Sequence, residues 1–496
     1  MTPMDHVAVQ ARLQPEQVAA VDLAGGRRWT YAELDLAIAR AAGVLRRRGI
    51  GEGERLAVLA RNRVLLAVLH LACARLGALF VPLNWRLSAG EIAALVEDAA
   101  PTLVVGDALL GAVGLEGLDL DVLQAEIDAA EPETPTQGDR ERPSLILYTS
   151  GTSGLPKGAL LSERNLDQTA INFGRLGKVT HQSTFLVDAP MFHIIGLITS
   201  IRPALMHGGT VLVSDGFEPS RTLGRLGDPA LGVTHYFCVP QMAAMLRGLP
   251  DFDGAALARL TAVFTGGAPH PAADIRAWLE QGVPVVDGYG MSEAGTVFGM
   301  PADLALIDAR AGSAGLPMPA VATRIVDEQD NDCPPGAAGE LLLKGDNIFQ
   351  GYWRRPEETE RAFTADGWFR TGDIARADAE GYHWLVDRKK DMFISGGENV
   401  YPAEIEAALA DHPAIAECAV VGMPDPRWGE VGHLVATCRD GAVLDLTIIL
   451  SHLENRLARY KLPKALTLVA ALPRTASGKI QKTILRERLL AEDPRT

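Results

Sequence analysis

Three things are scarce in this chain. Its five cysteines, Cys73, Cys238, Cys333, Cys418 and Cys438, are odd in number, dispersed and free of any Cys-x-x-Cys pair. That excludes a disulfide framework and a cysteine zinc site, and it fits a reducing cytoplasm. Positive charge is short as well: 47 Lys and Arg against 62 Asp and Glu leave a formal net charge of −15. Neither nucleic acid nor an anionic membrane surface is therefore a nonspecific partner, and a polyanionic substrate needs a local basic site. Long apolar runs are missing. The most apolar stretch, Val64 to Leu83, is broken by His70, Arg75 and Pro82, so it reads as a buried helix entering a strand and no integral membrane segment is expected. The N-terminus lacks a basic region followed by an apolar core, so no signal peptide is expected, and no internal repeat or low-complexity tract is evident.

At 496 residues the chain exceeds what one hydrophobic core serves, so at least two domains are expected. Thr30-Tyr31-Ala32-Glu33 and Ser88-Ala89-Gly90-Glu91 each fit a capping box at a helix start. Between them Leu56 to Ala60 suits a strand buried on both faces, and helices alternating with such strands imply an α/β layered sheet. Glu131 to Pro143, rich in Pro, Thr and Glu, reads as an exposed connector into the strand Leu145-Ile146-Leu147. Near residue 387 the texture changes, and Lys389-Lys390-Asp391 introduces a segment with its own apolar runs, Cys418 to Val421 and Leu434 to Thr437. The expected fold is α/β: a large multi-layer N-terminal domain of sheets and helices, residues 1–387, and a small mobile α+β C-terminal domain, residues 388–496.

Tyr148-Thr149-Ser150-Gly151-Thr152-Ser153-Gly154-Leu155-Pro156-Lys157-Gly158 gathers three glycines, four Ser or Thr hydroxyls and a lysine into eleven residues. Glycines let the backbone approach an anion, while hydroxyls and an ammonium donate to it, so this is a phosphate cradle. The Walker spacing cannot be laid over it. A Gly/Ser/Thr run alone is a polar surface loop, and the weight comes from four further segments that follow in order. These are Gly288-Tyr289-Gly290-Met291-Ser292-Glu293, Thr371-Gly372-Asp373, Asp387-Arg388-Lys389-Lys390-Asp391 and Pro473-Arg474-Thr475-Ala476-Ser477-Gly478-Lys479.

Together the five segments resemble the core motifs of the adenylate-forming (AMP-binding) superfamily: acyl-CoA synthetases, adenylation domains and beetle luciferases. Ser395-Gly396-Gly397-Glu398-Asn399-Val400-Tyr401-Pro402-Ala403-Glu404-Ile405-Glu406 is most similar to acyl-CoA ligases of the fatty-acid or aromatic-acid (feruloyl-CoA-synthetase-like) type. The resemblance runs over nearly the whole chain. It implies an acid–thiol ligase that uses ATP, Mg²⁺ and coenzyme A on a small-molecule carboxylic acid, and a homodimer is compatible with it. By the same resemblance, Thr149, Ser150, Gly151, Thr152, Ser153, Gly154 and Lys157 grip the β- and γ-phosphates. Gly267, Ala268, Tyr289, Gly290, Met291 and Ser292 line the nucleotide, and Glu293 with the Thr149 hydroxyl holds Mg²⁺. Asp373 accepts both ribose hydroxyls, Arg388 lies near the ribose or phosphate, and Lys479 bridges the attacking carboxylate and an α-phosphate oxygen. Lys390 takes the hinge position, where relatives often carry Asp, and rotation there would bring Ser395, Gly396, Gly397 and Glu398 to the pantetheine arm of CoA.

His193 falls at the mouth of the acyl pocket as a further catalytic candidate, with Ile194, Ile195, Val239 and Met242 as its walls. An apolar pocket disfavours dicarboxylates, because a second buried carboxylate lacks a partner there. Arg202 is the objection. Nine residues after His193, it points about 180° away on an unbroken helix at roughly 100° per residue. Two other readings stay open: an adenylating enzyme that loads a carrier protein in trans, since no carrier domain is fused before Thr496, and a homologue that performs one half-reaction. A luciferase reading is poorer, because the motifs specify adenylation and not oxygen chemistry.

Overall fold

The computed structural model describes residues 5–133, 139–149, 156–268, 270–389, 391–395, 398–425, 427–439, 441–454, 456–457, 459–474 and 478–492. The chain divides into two compact units. One comprises Met1–His270, Asp274–Ala322 and Leu343–Phe369; the other comprises Pro271–Ala273, Thr323–Leu342 and Arg370–Thr496.

Two sheets organise the first unit. In the seven-stranded sheet the strands run in the order Gly351–Tyr352, Lys157–Ser162, Pro143–Thr149, Leu79–Pro82, Arg55–Leu59, Leu103–Gly106, Leu118–Asp119. Arg55–Leu59 and Leu79–Pro82 are parallel neighbours made almost wholly of buried apolar residues, as a strand covered on both faces requires. Helix Val64–Leu76 connects them, buried along nearly its whole length and stopped by Gly77 in the left-handed conformation, so the apolar stretch is indeed a helix entering a strand. The nine-stranded sheet has six parallel strands at its centre: Val285–Met291, Ala262–Thr265, His235–Cys238, Thr184–Val187, Thr210–Val213 and Val18–Asp22.

Both expected capping boxes form, and each glutamate accepts from its cap residue's backbone N–H at 2.8 Å. A third, Ser162 with Asn165, opens helix Glu163–Leu176. Sequence reading passes over it because asparagine replaces the usual Glu or Gln at the reciprocal position.

The second unit is α+β. Strands Ile415–Asp425 and Gly429–Cys438 form a long hairpin, flanked by Phe393–Ser395, Glu398–Val400 and Ala465–Leu468. One face of this sheet buries Ile405 and Leu409 of helix Pro402–Leu409 and Ile449 and Leu453 of helix Leu446–Leu453. The other buries Leu485 and Leu489 of helix Lys482–Glu492 against Ala419, Val421 and Val435. The segment therefore has its own core on both faces of a sheet. Among the described residues no helix is long and apolar enough to cross a membrane.

Candidate active site

The phosphate-loop candidate joins two antiparallel strands rather than a strand and a helix. Tyr148 sits opposite Gly158 and Thr149 opposite Lys157, and the Thr149 hydroxyl donates to the Lys157 carbonyl at 3.4 Å. Ser150, Gly151, Thr152, Ser153 and Gly154 lie outside the described residues. The ammonium of Lys157 forms an ion pair with Glu358 and lies 5.2 Å from the ring centre of Tyr352, within cation–π range. The hydroxyl of Tyr352 donates to Glu293 Oε1 at 3.1 Å, and the backbone N–H of Phe349 donates to the Glu293 carbonyl at 2.7 Å. Lys157 and the buried Glu293, 136 residues apart in sequence, thus contact opposite parts of one tyrosine. Neither Tyr352 nor Glu358 was singled out from sequence. Tyr352 belongs to a two-residue strand and Glu358 to a six-residue helix, both too short for periodicity to register.

Glycines shape the adjoining turn. Strand Val285–Met291 folds back on Gly295–Gly299, and a Cβ on Gly290 would run into the Gly295 carbonyl oxygen. Gly295 itself has φ +57°, and a Cβ there would strike the Thr169 hydroxyl. Tyr289, Met291 and Ser292 are half-buried on this hairpin; the Tyr289 hydroxyl reaches Met291 sulfur at 3.5 Å, and its ring packs on Phe298. Gly267, with φ +83°, and Ala268 are exposed after strand Ala262–Thr265. A Cβ placed on Gly267 would lie 3.6 Å from Ile195 Cδ1 and 3.7 Å from Val239 Cγ1. The nucleotide-segment glycine therefore adjoins two acyl-pocket candidates. Met242 packs instead on the apolar cluster beneath helix Pro240–Arg247, and Ile194 and His193 are half-buried just before Ile195.

The unbroken helix assumed for Arg202 is absent. Ile195–Thr199 forms a π-helical turn, and Arg202 opens a separate helix, Arg202–His207. Gly196 makes this tight start feasible, since any side chain there would collide with the carbonyls of Ala189 and Pro190. Arg202 is buried and paired with Glu163 and, at 3.1 Å, with Asp167. Its orientation is therefore set by these two carboxylates and not by helical phase.

Two buried carboxyls belong to the nine-stranded sheet, Asp287 within strand Val285–Met291 and Asp188 just after strand Thr184–Val187. Burial pushes Asp287 up to about 7, although the Thr265 hydroxyl donates to it at 2.9 Å. His270, pulled down to about 4 by burial, lies 2.9 Å from that same hydroxyl. Burial likewise pushes Asp188 up to about 6, while the hydroxyls of Thr222 and Tyr236 donate to it at 2.6 and 3.0 Å.

In the second unit Asp373 is buried opposite Arg388 in an antiparallel pair, after Gly372 at φ +68°. The Asp373 N–H donates to the Thr371 hydroxyl, which donates to the Leu341 carbonyl at 2.8 Å. Asp387 accepts from the Ala403 N–H at 2.8 Å, tying the end of its strand to the start of helix Pro402–Leu409. Ser395 is buried and pairs with Glu398 and Gly429; Lys390, Gly396 and Gly397 lie outside the described residues. Lys479 is exposed beside Gly478, whose φ is +86° and whose carbonyl accepts from Arg474 at 2.5 Å.

The donors near Lys157 are hard oxygens, a buried carboxylate and a hydroxyl. Among the described residues no three His, Cys, Asp or Glu side chains gather to hold a metal. That set suits Mg²⁺, which completes its shell with water and nucleotide oxygens, rather than a metal caged wholly by protein.

Comparison with known proteins places the whole chain in one family. A family model described as AMP-binding enzyme matches residues 7–353, and one described as AMP-binding enzyme C-terminal domain matches residues 404–479. The chain is 39% identical over 483 residues to a feruloyl-CoA synthase of Amycolatopsis sp, covering 97% of each. It is 38% identical over 479 residues to an indoleacetate–CoA ligase of Aromatoleum aromaticum, covering 92% of each. The crystal structure of ATP-bound MatB from Rhodopseudomonas palustris superposes with TM-score 0.89 at 32% identity, covering 98% of this chain and 99% of that one.

Proposed function

The chain belongs to the AMP-binding enzyme family of ATP-dependent acid–thiol ligases, and from that premise we propose that it joins an apolar carboxylic acid, fatty or aryl, to coenzyme A through an acyl-adenylate. The observation that carries the reading is the convergence of Lys157 and Glu293 on Tyr352, which sets a cation for phosphate beside a carboxylate for a hard metal.

In the first half-reaction a carboxylate oxygen of the acid attacks the α-phosphorus of ATP, the bond from that phosphorus to its bridging oxygen breaks, and pyrophosphate leaves. Lys157 exchanges Glu358 for β- and γ-phosphate oxygens, and Tyr289 with Gly267 and Ala268 flanks the base. Glu293 and Thr149 would hold Mg²⁺, which supplies positive charge beside the departing phosphates. Asp373 takes the ribose hydroxyls, and Lys479 offsets the repulsion between carboxylate and α-phosphate. In the second half-reaction the CoA sulfur attacks the acyl carbonyl carbon, the carbon–oxygen bond to AMP breaks, and the thiol proton passes to solvent. Lys390 serves as the hinge between domains 1–387 and 388–496, and Ser395 to Glu398 pass the pantetheine arm. His193 stands at the mouth of the acyl pocket. An apolar acid is supported by Ile195 and Val239 beside Gly267, and by the engagement of Arg202 with Glu163 and Asp167. A cytoplasmic location and a homodimer complete the proposal.

The test is pyrophosphate release from ATP and Mg²⁺ across fatty, cinnamic-type and benzoic acids, each with and without CoA, with mass spectrometry of the thioester. Acid-dependent pyrophosphate with matching acyl-CoA is expected. Pyrophosphate without thioester would redirect the acyl group to a carrier protein.

A further inference from the structure

Tyr352 holds an unusual position for a residue so far in sequence from the groups it touches. It pairs through its backbone with Ala159, two residues along the strand from Lys157. Its N–H donates to the Thr359 hydroxyl at 2.9 Å, and its ring packs edge-on against Phe349 with centroids 4.8 Å apart. Phe349 in turn donates its N–H to the Glu293 carbonyl, and Asn347 donates its amide to the Ala294 carbonyl at 2.6 Å. The ring is thus held against Phe349, with its hydroxyl on the Glu293 carboxylate and its face toward the Lys157 ammonium. One rigid aromatic side chain orients an acceptor for a cation and a donor for an anion, and sets the spacing between them.

We propose that Tyr352 is a positioning residue for the nucleotide site, aiming Glu293 at the metal and Lys157 at the phosphates. The proposal rests on the reading of Glu293 as the metal carboxylate. A hydroxyl donating to a carboxylate favours one rotamer of that carboxylate, and its loss lets the side chain sample orientations that miss the metal. A charge-assisted hydrogen bond of this kind corresponds to roughly tenfold in a binding constant. The ring does the other half. A cation–π contact at a half-buried site biases where the ammonium sits, so removing the ring affects the lysine and removing the hydroxyl does not.

The two halves separate in direct binding measurements on the full chain. Calorimetric titration with ATP, with and without Mg²⁺, and Mn²⁺ titration followed by electron paramagnetic resonance in the presence of ATP, are made on wild type, Tyr352→Phe, Tyr352→Leu and Glu293→Gln, after thermal melts confirm folding. Tyr352→Phe is expected to weaken metal binding about tenfold and to leave metal-free ATP affinity unchanged. Tyr352→Leu is expected to weaken both. Glu293→Gln should weaken metal binding at least as much, and adding Tyr352→Phe to it should cost little more, because the hydroxyl acts through that carboxylate. Wild-type metal affinity in Tyr352→Phe, alongside a defect in Glu293→Gln, would overturn the role of Tyr352 and leave the metal reading standing. Wild-type metal affinity in Glu293→Gln would overturn that reading itself. Should Tyr352→Leu not fold, the Tyr352→Phe and double-variant comparison still decides.

Discussion

Asp287 offers the sharpest test of the electrostatics under the nucleotide hairpin. It is buried within strand Val285–Met291, directly opposite Thr265 of the parallel neighbour, whose hydroxyl donates to it at 2.9 Å. Burial raises it from 3.8 to about 7, against the smaller pull of hydrogen bonds from Thr265 and the Gly288 backbone. Between those two values the unfolded chain has released the proton that the folded chain keeps. Stability therefore falls as pH rises across that window and levels off above about 7. About three pH units at about 1.4 kcal/mol each give a ceiling of about 4 kcal/mol, and relaxation around the charge makes about 2 kcal/mol a fairer expectation. Asp287→Asn keeps the shape and an acceptor for Thr265 but cannot ionise. Urea unfolding of both proteins at half-unit steps from pH 5 to 8.5 should show the variant gaining on wild type up to about pH 7 and running parallel beyond it. Any constant offset reports packing and hydrogen bonding, whereas the slope reports the charge. Curves that stay parallel from pH 5 upward would refute the argument and mean that the carboxyl is ionised throughout.

Lys479→Ala should lower acid-dependent pyrophosphate release by at least about a hundredfold while leaving CoA thioester formation from supplied acyl-adenylate within a few-fold; near-normal pyrophosphate would sink the assignment. Glu358→Gln removes the counter-ion that Lys157 must leave. Because that pair is partly exposed and worth at most about 1 kcal/mol, metal-free ATP affinity should rise up to about fivefold by calorimetry, and a fall would mean that Glu358 positions the lysine rather than competing for it. Gly290→Ala puts a methyl against the Gly295 carbonyl and should cost about 1–3 kcal/mol of stability with a raised KM for ATP, measured by denaturant midpoint and pyrophosphate assay; wild-type values in both would mean that the hairpin yields freely.

Where local rules act alone, the sequence was a good guide. The capping boxes at Thr30 and Ser88, the buried helix from Val64, and the strands around Val58 and Ile146 formed where their patterns put them, because hydroxyl spacing and apolar runs act within a few residues. Asp287 was not singled out from sequence: it lies within strand Val285–Met291, and burial opposite Thr265 of the neighbouring parallel strand, a tertiary contact, raises its carboxyl. The unbroken helix assumed from His193 to Arg202 failed for a geometric reason, since one π-helical turn breaks the phase that 3.6 residues per turn would have given.

The candidate site divides along the same line. A motif marks residues by their type and closeness in sequence, and Lys157, Glu293 and Asp373 could be found that way because their own loops announce them. Tyr352 could not, because its meaning comes from two partners supplied by different sheets, Lys157 from a strand and Glu293 from a hairpin turn. The seven-stranded sheet brings Lys157 and the nine-stranded sheet brings Glu293, while the short edge strand carrying Tyr352 extends the first and reaches the second. If that bridge sets the spacing of the site, swapping aromatic residues at position 352 should alter metal affinity by hydroxyl content and metal-free nucleotide affinity by ring content. A residue that only fills space would change both together, through stability, in proportion to volume.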